Sequence, residues 1–148
     1  MKNGIQLQHA LLVVLAPLFA GDAVAATLRV EVAVPSASNS SGKVGCALYA
    51  SADGFPMDAT KARAQLWQPS AAKLECVFAD LPAGDYAVAL SHDLNDNQVV
   101  DSNWLGMPKE AWGVSRNARP SLRAPRFEEA AVQVPAEGEV VISVEVRK

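Results

Sequence analysis

Short segments in which apolar and polar residues alternate recur along most of this chain. Residues 28–34 read LRVEVAV, with apolar side chains at every second position, and this is the period of a β-strand with one buried face. Similar patterns occupy residues 43–49, 73–78, 86–91, 130–134 and 140–146. Turn-forming Pro and Gly separate several of them, as in residues 81–85 and 135–138. The sequence therefore predicts an all-β fold, a single β-sandwich, and not βαβ units.

The N-terminal segment has the pattern of an export signal. Lys2 precedes an apolar run over residues 10–20, and the small residues Ala-Val-Ala follow at 23–25. The run is about half the length that a membrane-spanning helix needs. We expect a signal peptide at residues 1–25 and one β-sandwich domain at residues 26–148, in the periplasm or outside the cell. A buried N-terminal helix is the alternative interpretation.

The charge of the chain excludes some classes of partner. The formal net charge is −3, and there is no polybasic cluster that would favour nucleic acid or an anionic membrane surface. We therefore expect no nucleic-acid partner, and no transmembrane segment after residue 25.

Two cysteines lie on strands with the same inward phase. Alternation places Cys46 on the face of Val44 and Leu48, and it places Cys76 on the face of its apolar neighbours at 74 and 78. An oxidising compartment permits the two thiols to pair. We predict a Cys46–Cys76 disulfide, and the alternative is a pair of separate buried thiols.

Two further regions bear on the architecture. Residues 59–67 are compatible with one or two helical turns. On the 86–91 strand, Ala87, Ala89 and Ser91 share one face, and their small side chains allow another segment to pack closely over it.

The connection over residues 92–127 is much longer than an ordinary loop, and such connections are usually functional or disordered. Its tryptophans and turn-forming residues predict an ordered loop.

The start of this connection, residues 93–103 (DLNDNQVVDSN), carries oxygen-bearing side chains at a regular spacing. Positions 1, 3, 5, 7 and 9 of an EF-hand-type calcium loop correspond to Asp93, Asn95, Asn97, the carbonyl group of Val99, and Asp101. Position 6, usually Gly, is Gln98, and position 12, usually a bidentate carboxylate, is Trp104, so that Glu110 would have to complete the shell. Two interpretations stay open: weak calcium binding with a Kd of roughly 10⁻⁴ to 10⁻³ M, or metal-free turns held by side-chain hydrogen bonds to the backbone.

An ordered series of motifs resembles one family of exported bacterial proteins. The motifs are residues 48–56 (LYASADGFP), 78–88 (FADLPAGDYAV), 92–97 (HDLNDN) with Asp101, 106–115 (GMPKEAWGVS) and 125–130 (PRFEEA). Together they are similar to the DUF2141 family, and the resemblance implies a transthyretin-like or prealbumin-like β-sandwich of unassigned biochemical function. The family usually has Gly where this chain has Gln98.

The residues leave three classes of function open. The first is a non-catalytic binding or accessory module whose 92–127 loop contacts a carbohydrate, a peptide or an envelope protein, with Trp104 and Trp112 as contact residues. In the alternative interpretation, the same two tryptophans contact no ligand and cover the open face of a sheet. The second class is a structural envelope protein without a ligand. The third is a hydrolase centred on His92, Asp93 and Glu110, although no recognisable catalytic motif supports it.

Overall fold

Two β-sheets packed face to face make up the described part of the chain, which comprises residues 25–34, 41–99, 101–104 and 108–148 of a computed structural model. The strands are β1 (Ala26–Ala33), β2 (Lys43–Tyr49), β3 (Ala64–Pro69), β4 (Lys73–Leu81), β5 (Gly84–Asp93), β6 (Trp112–Val114), β7 (Val132–Val134) and β8 (Glu139–Glu145). One short helix, α1 (Phe127–Ala130), precedes β7. The predicted signal peptide lies outside the described residues except for Ala25.

The two sheets differ in size and in strand direction. The first has the order β4-β1-β8, in which β1 is antiparallel to β4 and parallel to β8. The second has the order β3-β2-β5-β6, and β7 pairs with the same central strand, β5. All pairs of the second sheet are antiparallel. The prediction of an all-β sandwich is confirmed, and its transthyretin-like character stays a prediction.

The core lies between the two sheets and follows the predicted alternation. On β1, Leu28 and Val30 are fully buried, whereas Arg29 points outward and binds Glu75 and Glu139 on the neighbouring strands. Full burial of an aliphatic side chain of this size contributes about 1.5–3 kcal/mol. β4 and β8 add residues from the same sheet, and β2 and β5 supply the other side of the core.

The predicted disulfide between Cys46 and Cys76 is present and joins the two sheets. Cys46 lies on β2 of the second sheet and Cys76 on β4 of the first, and both are almost completely buried. The bridge therefore crosses the core between the layers, at a sequence separation of 30 residues.

The region predicted to contain one or two helical turns contains one, followed by a strand. Only Ala59–Lys61 forms a single 3-10 turn, and β3 begins three residues later. Leu66 of β3 packs against the core and pairs with Cys46 on β2, and this pairing outweighs the helix propensity of the preceding alanines.

The long connection after β5 is ordered by pairing with the sheet in its second half. Residues Trp112–Val114 form β6 along the edge of β5, and Ser115–Asn117 form a 3-10 turn directly after it. A small second cluster of buried residues then forms on the outer face of the second sheet. It contains Ala87, Val114 and Ala130, with Phe55 and Phe127 packed against them. The prediction that a segment packs closely over this small-residue face is therefore confirmed for Ala87.

Candidate ligand cavity and the Asp93 loop

A cavity of about 950 Å³ opens on the outer face of the second sheet. Its lining includes small residues on three adjacent strands, namely Gly45 and Ala47 on β2, Ala89 and Ser91 on β5, and Gly113 on β6. Gly45 pairs with Ser91 and Ala47 pairs with Ala89 across the sheet. Since large side chains are missing from this part of the face, space remains above the strands where an ordinary sheet would be covered.

Larger apolar side chains surround this small-residue patch. Trp67 on β3 and Trp112 on β6 line two sides, and Pro56 and Met57 line another. Residues 119–125, which follow the 3-10 turn after β6, complete the lining. Small-molecule sites typically occupy about 300–1,000 Å³ and are lined mainly by apolar and aromatic groups. The cavity has the size and the composition of such a site.

Gly45 is the position on which this shape depends most directly. A Cβ atom at residue 45 would lie 2.7 Å from two carbon atoms of the Trp67 ring, which is closer than van der Waals contact. The indole of Trp67 therefore occupies the space that any other side chain would need. The sequence signal was an isolated glycine inside a strand pattern, which often marks a close approach of another group.

The cavity also contains an arginine that no acidic side chain neutralises directly. Arg119 lies over the ring of Trp112, with its Cζ atom 4.3 Å from the ring centroid. Its guanidinium donates to the backbone carbonyl groups of Trp112 at 2.8 Å and Arg147 at 3.1 Å. Among the described residues, no acidic side chain lies within ion-pair distance of it, and its Nη1 atom also donates to the main-chain oxygen of Lys148 at 3.4 Å. Burial, and secondarily the charge of Arg147, lowers the pKa of Arg119 from its usual value.

The wall formed by residues 119–125 is tied to α1 by an ion pair. Arg123 binds the two carboxylate oxygens of Glu129 at 2.8 and 2.6 Å, and Glu129 also accepts the backbone N–H of Arg126 at 2.8 Å. The hydrogen bonds from Arg123, and next the bond from the Arg126 backbone, lower the pKa of Glu129 to about 2. The short helix thus holds one wall of the cavity in place.

The predicted calcium loop begins where β5 ends, and its first residue is completely buried. The Asp93 carboxylate accepts the backbone N–H of Gln98 at 2.6 Å and that of Asn97 at 3.3 Å. Asn95 Oδ1 accepts the N–H of Asn97 at 3.3 Å, and Asn97 Oδ1 accepts the N–H of Val99 at 2.9 Å. The loop therefore contains the side-chain-to-backbone bonds of the metal-free interpretation.

The other predicted ligand side chains of the loop meet at Asp101. Asn95 Nδ2 and Asn97 Nδ2 donate to the two carboxylate oxygens of Asp101 at 2.7 and 3.2 Å. The structure thus brings Asn95, Asn97 and Asp101 into direct contact. The Asn97 N–H, which donates to Asn95, also donates to the Asp93 carboxylate. Across the described ranges, no group of three or more His, Cys, Asp or Glu side chains is arranged as a metal site.

Glu110, predicted as a distant sixth ligand, lies beside this loop. It is 8 % exposed, and its Oε1 atom accepts the backbone N–H of Leu94 at 2.9 Å. The backbone N–H of the preceding residue, Lys109, donates to the carbonyl of Asp101 at 2.8 Å. Glu110 Oε2 is buried without a hydrogen-bond partner among the described residues.

The remaining predicted site residues occupy different environments. Trp112 is half-buried on β6 and lines the cavity, whereas Trp104 is 90 % exposed and covers no sheet face. His92 is 2 % exposed, its Nε2 atom lies 3.2 Å from the carbonyl of Ser41, and its backbone N–H donates to the carbonyl of Ala111. An imidazole held in this way has little access to a substrate.

Fold and site together define a class: a disulfide-linked all-β sandwich with an apolar cavity on the outer face of one sheet. The chain belongs to DUF2141, a family described as an uncharacterised protein conserved in bacteria, whose model matches residues 32–143. The resemblance inferred from the motifs is thereby confirmed. No curated protein and no solved structure matches the chain. The helices within the described ranges are all too short or too polar to cross a bilayer.

Proposed function

We propose that this protein is an exported, non-catalytic binding protein that holds an apolar organic anion in the cavity between the second sheet and residues 119–125. The observation that carries the proposal is the cavity itself, which is about 950 Å³ in volume and is lined by small residues and two tryptophans. In a purely structural protein we would expect an apolar sheet face of this size to be covered, because its burial would add stability.

The preference for an anion rests on Arg119. This guanidinium lines the cavity and, among the described residues, donates to main-chain oxygens of Trp112, Arg147 and Lys148 and to no acidic side chain. A ligand carboxylate or sulfonate would therefore add a charge-assisted bond without displacing a bond to an acidic side chain. The stacked ring of Trp112 keeps the guanidinium in place.

Export is supported by two independent features. The first 25 residues have the pattern of a cleaved signal, and the Cys46–Cys76 disulfide fits an oxidising compartment better than the cytoplasm. Mass spectrometry of the protein recovered from the periplasm and the medium tests this point. A mature N-terminus at Ala26 is expected, and an intact Met1 in the cytoplasm would contradict it.

The binding role is tested by titration with two probes of equal chain length, dodecanoate and dodecylamine, followed by tryptophan fluorescence. Trp67 and Trp112 line the cavity, so a bound chain should change their emission. We expect dodecanoate to bind about tenfold more tightly or better, because hydrogen bonds to charged groups are worth about 1.5–3 kcal/mol. Arg119→Gln should remove this preference.

A matched pair of substitutions localises the binding. Ala47→Phe places a ring in the cavity and should abolish dodecanoate binding, whereas Ala33→Phe adds the same ring to the exposed outer face of the first sheet. Equal binding by both variants, or no binding by the wild-type protein, would overturn the proposed function and favour the structural class.

A further inference from the structure

We infer, on the basis of the proposed function, that the cavity selects planar aromatic carboxylates, which it holds between the side chains of Trp67 and Trp112. The proposed function requires only an apolar body with an anionic group, whereas this inference names the shape and the chemistry of that body. The evidence is the order of the residues across the floor of the cavity, which the pairing of the strands determines.

The two tryptophans stand at opposite ends of one row of paired residues across the second sheet. Trp67 on β3 pairs with Gly45 on β2, and Gly45 pairs with Ser91 on β5. Ser91 in turn pairs with Trp112 on β6. Neighbouring strands lie about 4.7–4.9 Å apart, so three intervals separate the two tryptophan backbones by about 14–15 Å. The row therefore has an indole at each end and only a glycine and a serine between them.

The Trp67 side chain covers one of these three intervals. Two of its ring carbon atoms would lie 2.7 Å from a Cβ atom at residue 45, so the indole extends over Gly45 towards the centre of the row. The floor that is left open in front of Trp112 is about two strand intervals wide, or roughly 10 Å. Contacting aromatic rings have centroids about 4.5–7 Å apart. The width therefore admits one flat ring system with an indole on each side.

The open floor is also short in the direction of the strands. In the next row Ala47 pairs with Ala89, and both line the cavity. Beyond it on β5, Ala87 is 0 % exposed and belongs to the buried cluster against which Phe55 packs. At the opposite end β5 finishes, and Gln98 of the following loop lines the cavity. Two rows about 7 Å apart are left open, and this footprint suits fused rings better than an extended chain.

The anionic group has its partner at the Trp112 end of the floor. The Cζ atom of Arg119 lies 4.3 Å from the centroid of the Trp112 ring, and Arg119 lines the cavity. A ligand ring in contact with Trp112 lies beside the guanidinium, so a carboxylate attached directly to that ring can accept its N–H groups. The guanidinium also attracts the face of an aromatic ring, which a saturated ring does not offer.

The experiment compares two carboxylates that share one carbon skeleton, by titration calorimetry of the purified protein with its disulfide intact. One probe is 2-naphthoate, which is planar and aromatic, and the other is decahydro-2-naphthoate, which is saturated and puckered. Burial of apolar surface alone does not favour the aromatic probe. We expect 2-naphthoate to bind about threefold to tenfold more tightly, because aromatic contacts contribute beyond the area that they bury.

Replacing each tryptophan with leucine tests whether these two residues cause the preference. Trp67→Leu and Trp112→Leu should each reduce the preference for 2-naphthoate to below about twofold, with a smaller effect on the saturated probe. The two residues lie on different strands, so one folded variant is available if the other is unstable. Trp104→Leu is the matched control, because Trp104 is 90 % exposed and outside the cavity lining, and it should keep the wild-type preference.

Two results would contradict selection of aromatic ligands. One is equal or tighter binding of decahydro-2-naphthoate by the wild-type protein. The other is a preference for 2-naphthoate that survives in both Trp67→Leu and Trp112→Leu, which would place the aromatic contact elsewhere. Either result leaves the proposed function intact as long as dodecanoate binds, whereas failure of all three carboxylates to bind would remove both proposals.

Discussion

Ser115 occupies a gap along the edge of β5 where one partner strand has ended and the next has not begun. β6 pairs with β5 as far as Ala89, and β7 pairs with it up to Tyr86. Between them, the Ser115 hydroxyl accepts the N–H of Val88 at 2.9 Å and donates to the carbonyl of Ala130 at 2.6 Å. A completely buried hydroxyl group thus substitutes for a missing strand residue.

Ser115→Ala should destabilise the protein by about 1–3 kcal/mol, because it leaves a buried N–H and a buried carbonyl without their partner. Urea unfolding monitored by circular dichroism measures the change. Ser51→Ala, at an exposed position in the loop after β2, is the control and should change stability by less than about 0.5 kcal/mol. Equal stability of both variants would show that water replaces the hydroxyl.

Single residues also show where sequence patterns lose information. Gln98 stands where a calcium loop usually has Gly, and the backbone there still adopts a positive φ of 58°. The turn is held by the Asp93 carboxylate, which accepts the Gln98 N–H, so one side chain imposes a conformation that the residue itself disfavours. The spacing of Asp93, Asn95, Asn97 and Asp101 predicted this contact network. Arg119 gave no sequence signal, because its role arises from stacking on Trp112, which is not a near neighbour in the sequence.

At the scale of elements, the strands with strict alternation were predictable and the short or irregular elements were not. β1 and β8 follow the period-two pattern over seven or eight residues. β3 and β6 owe their conformation to pairing with β2 and β5, which no local pattern reveals. The cavity escaped prediction for the same reason, because its lining comes from three strands and from loops that are distant in sequence.

The attachment of α1 makes the stability of one element depend on pH. Because the folded state lowers the pKa of Glu129 from 4.5 to about 2, its contribution to stability is complete above about pH 4.5 and is lost as the pH falls towards 2. The carboxylate is solvent-exposed, so the effect is small. Glu129→Gln should remove this part of the acid sensitivity.

Urea unfolding of wild type and Glu129→Gln at a series of pH values measures the difference in free energy. We expect wild type to be the more stable at pH 6, with the difference shrinking below pH 4.5 and vanishing near pH 2. Glu128→Gln is the matched control, since this neighbouring carboxylate forms no ion pair among the described residues. A difference that is independent of pH would contradict the assigned role of the Arg123–Glu129 pair.

At the scale of the whole molecule, the disulfide is a covalent bond between side chains of the two layers. The inward phase of both cysteines predicted it, since two thiols on facing strands of a sandwich point into the same core. The pairing of the strands around it was not predictable, because alternation determines faces and not neighbours. The parallel contact of β1 with β8, which joins the two ends of the domain, is an example.

Replacing both cysteines with alanine tests how far the layers depend on this bond. For a separation of 30 residues, the chain-entropy model gives a loss of roughly 3–4 kcal/mol. That is a large share of the 5–15 kcal/mol typical of folded domains. We expect the urea midpoint to fall while native circular dichroism is retained, and wild type with its disulfide reduced should match the variant. A loss of stability of this size would explain why the domain suits an oxidising compartment, in which the disulfide forms. A measured loss below about 1 kcal/mol would contradict this explanation.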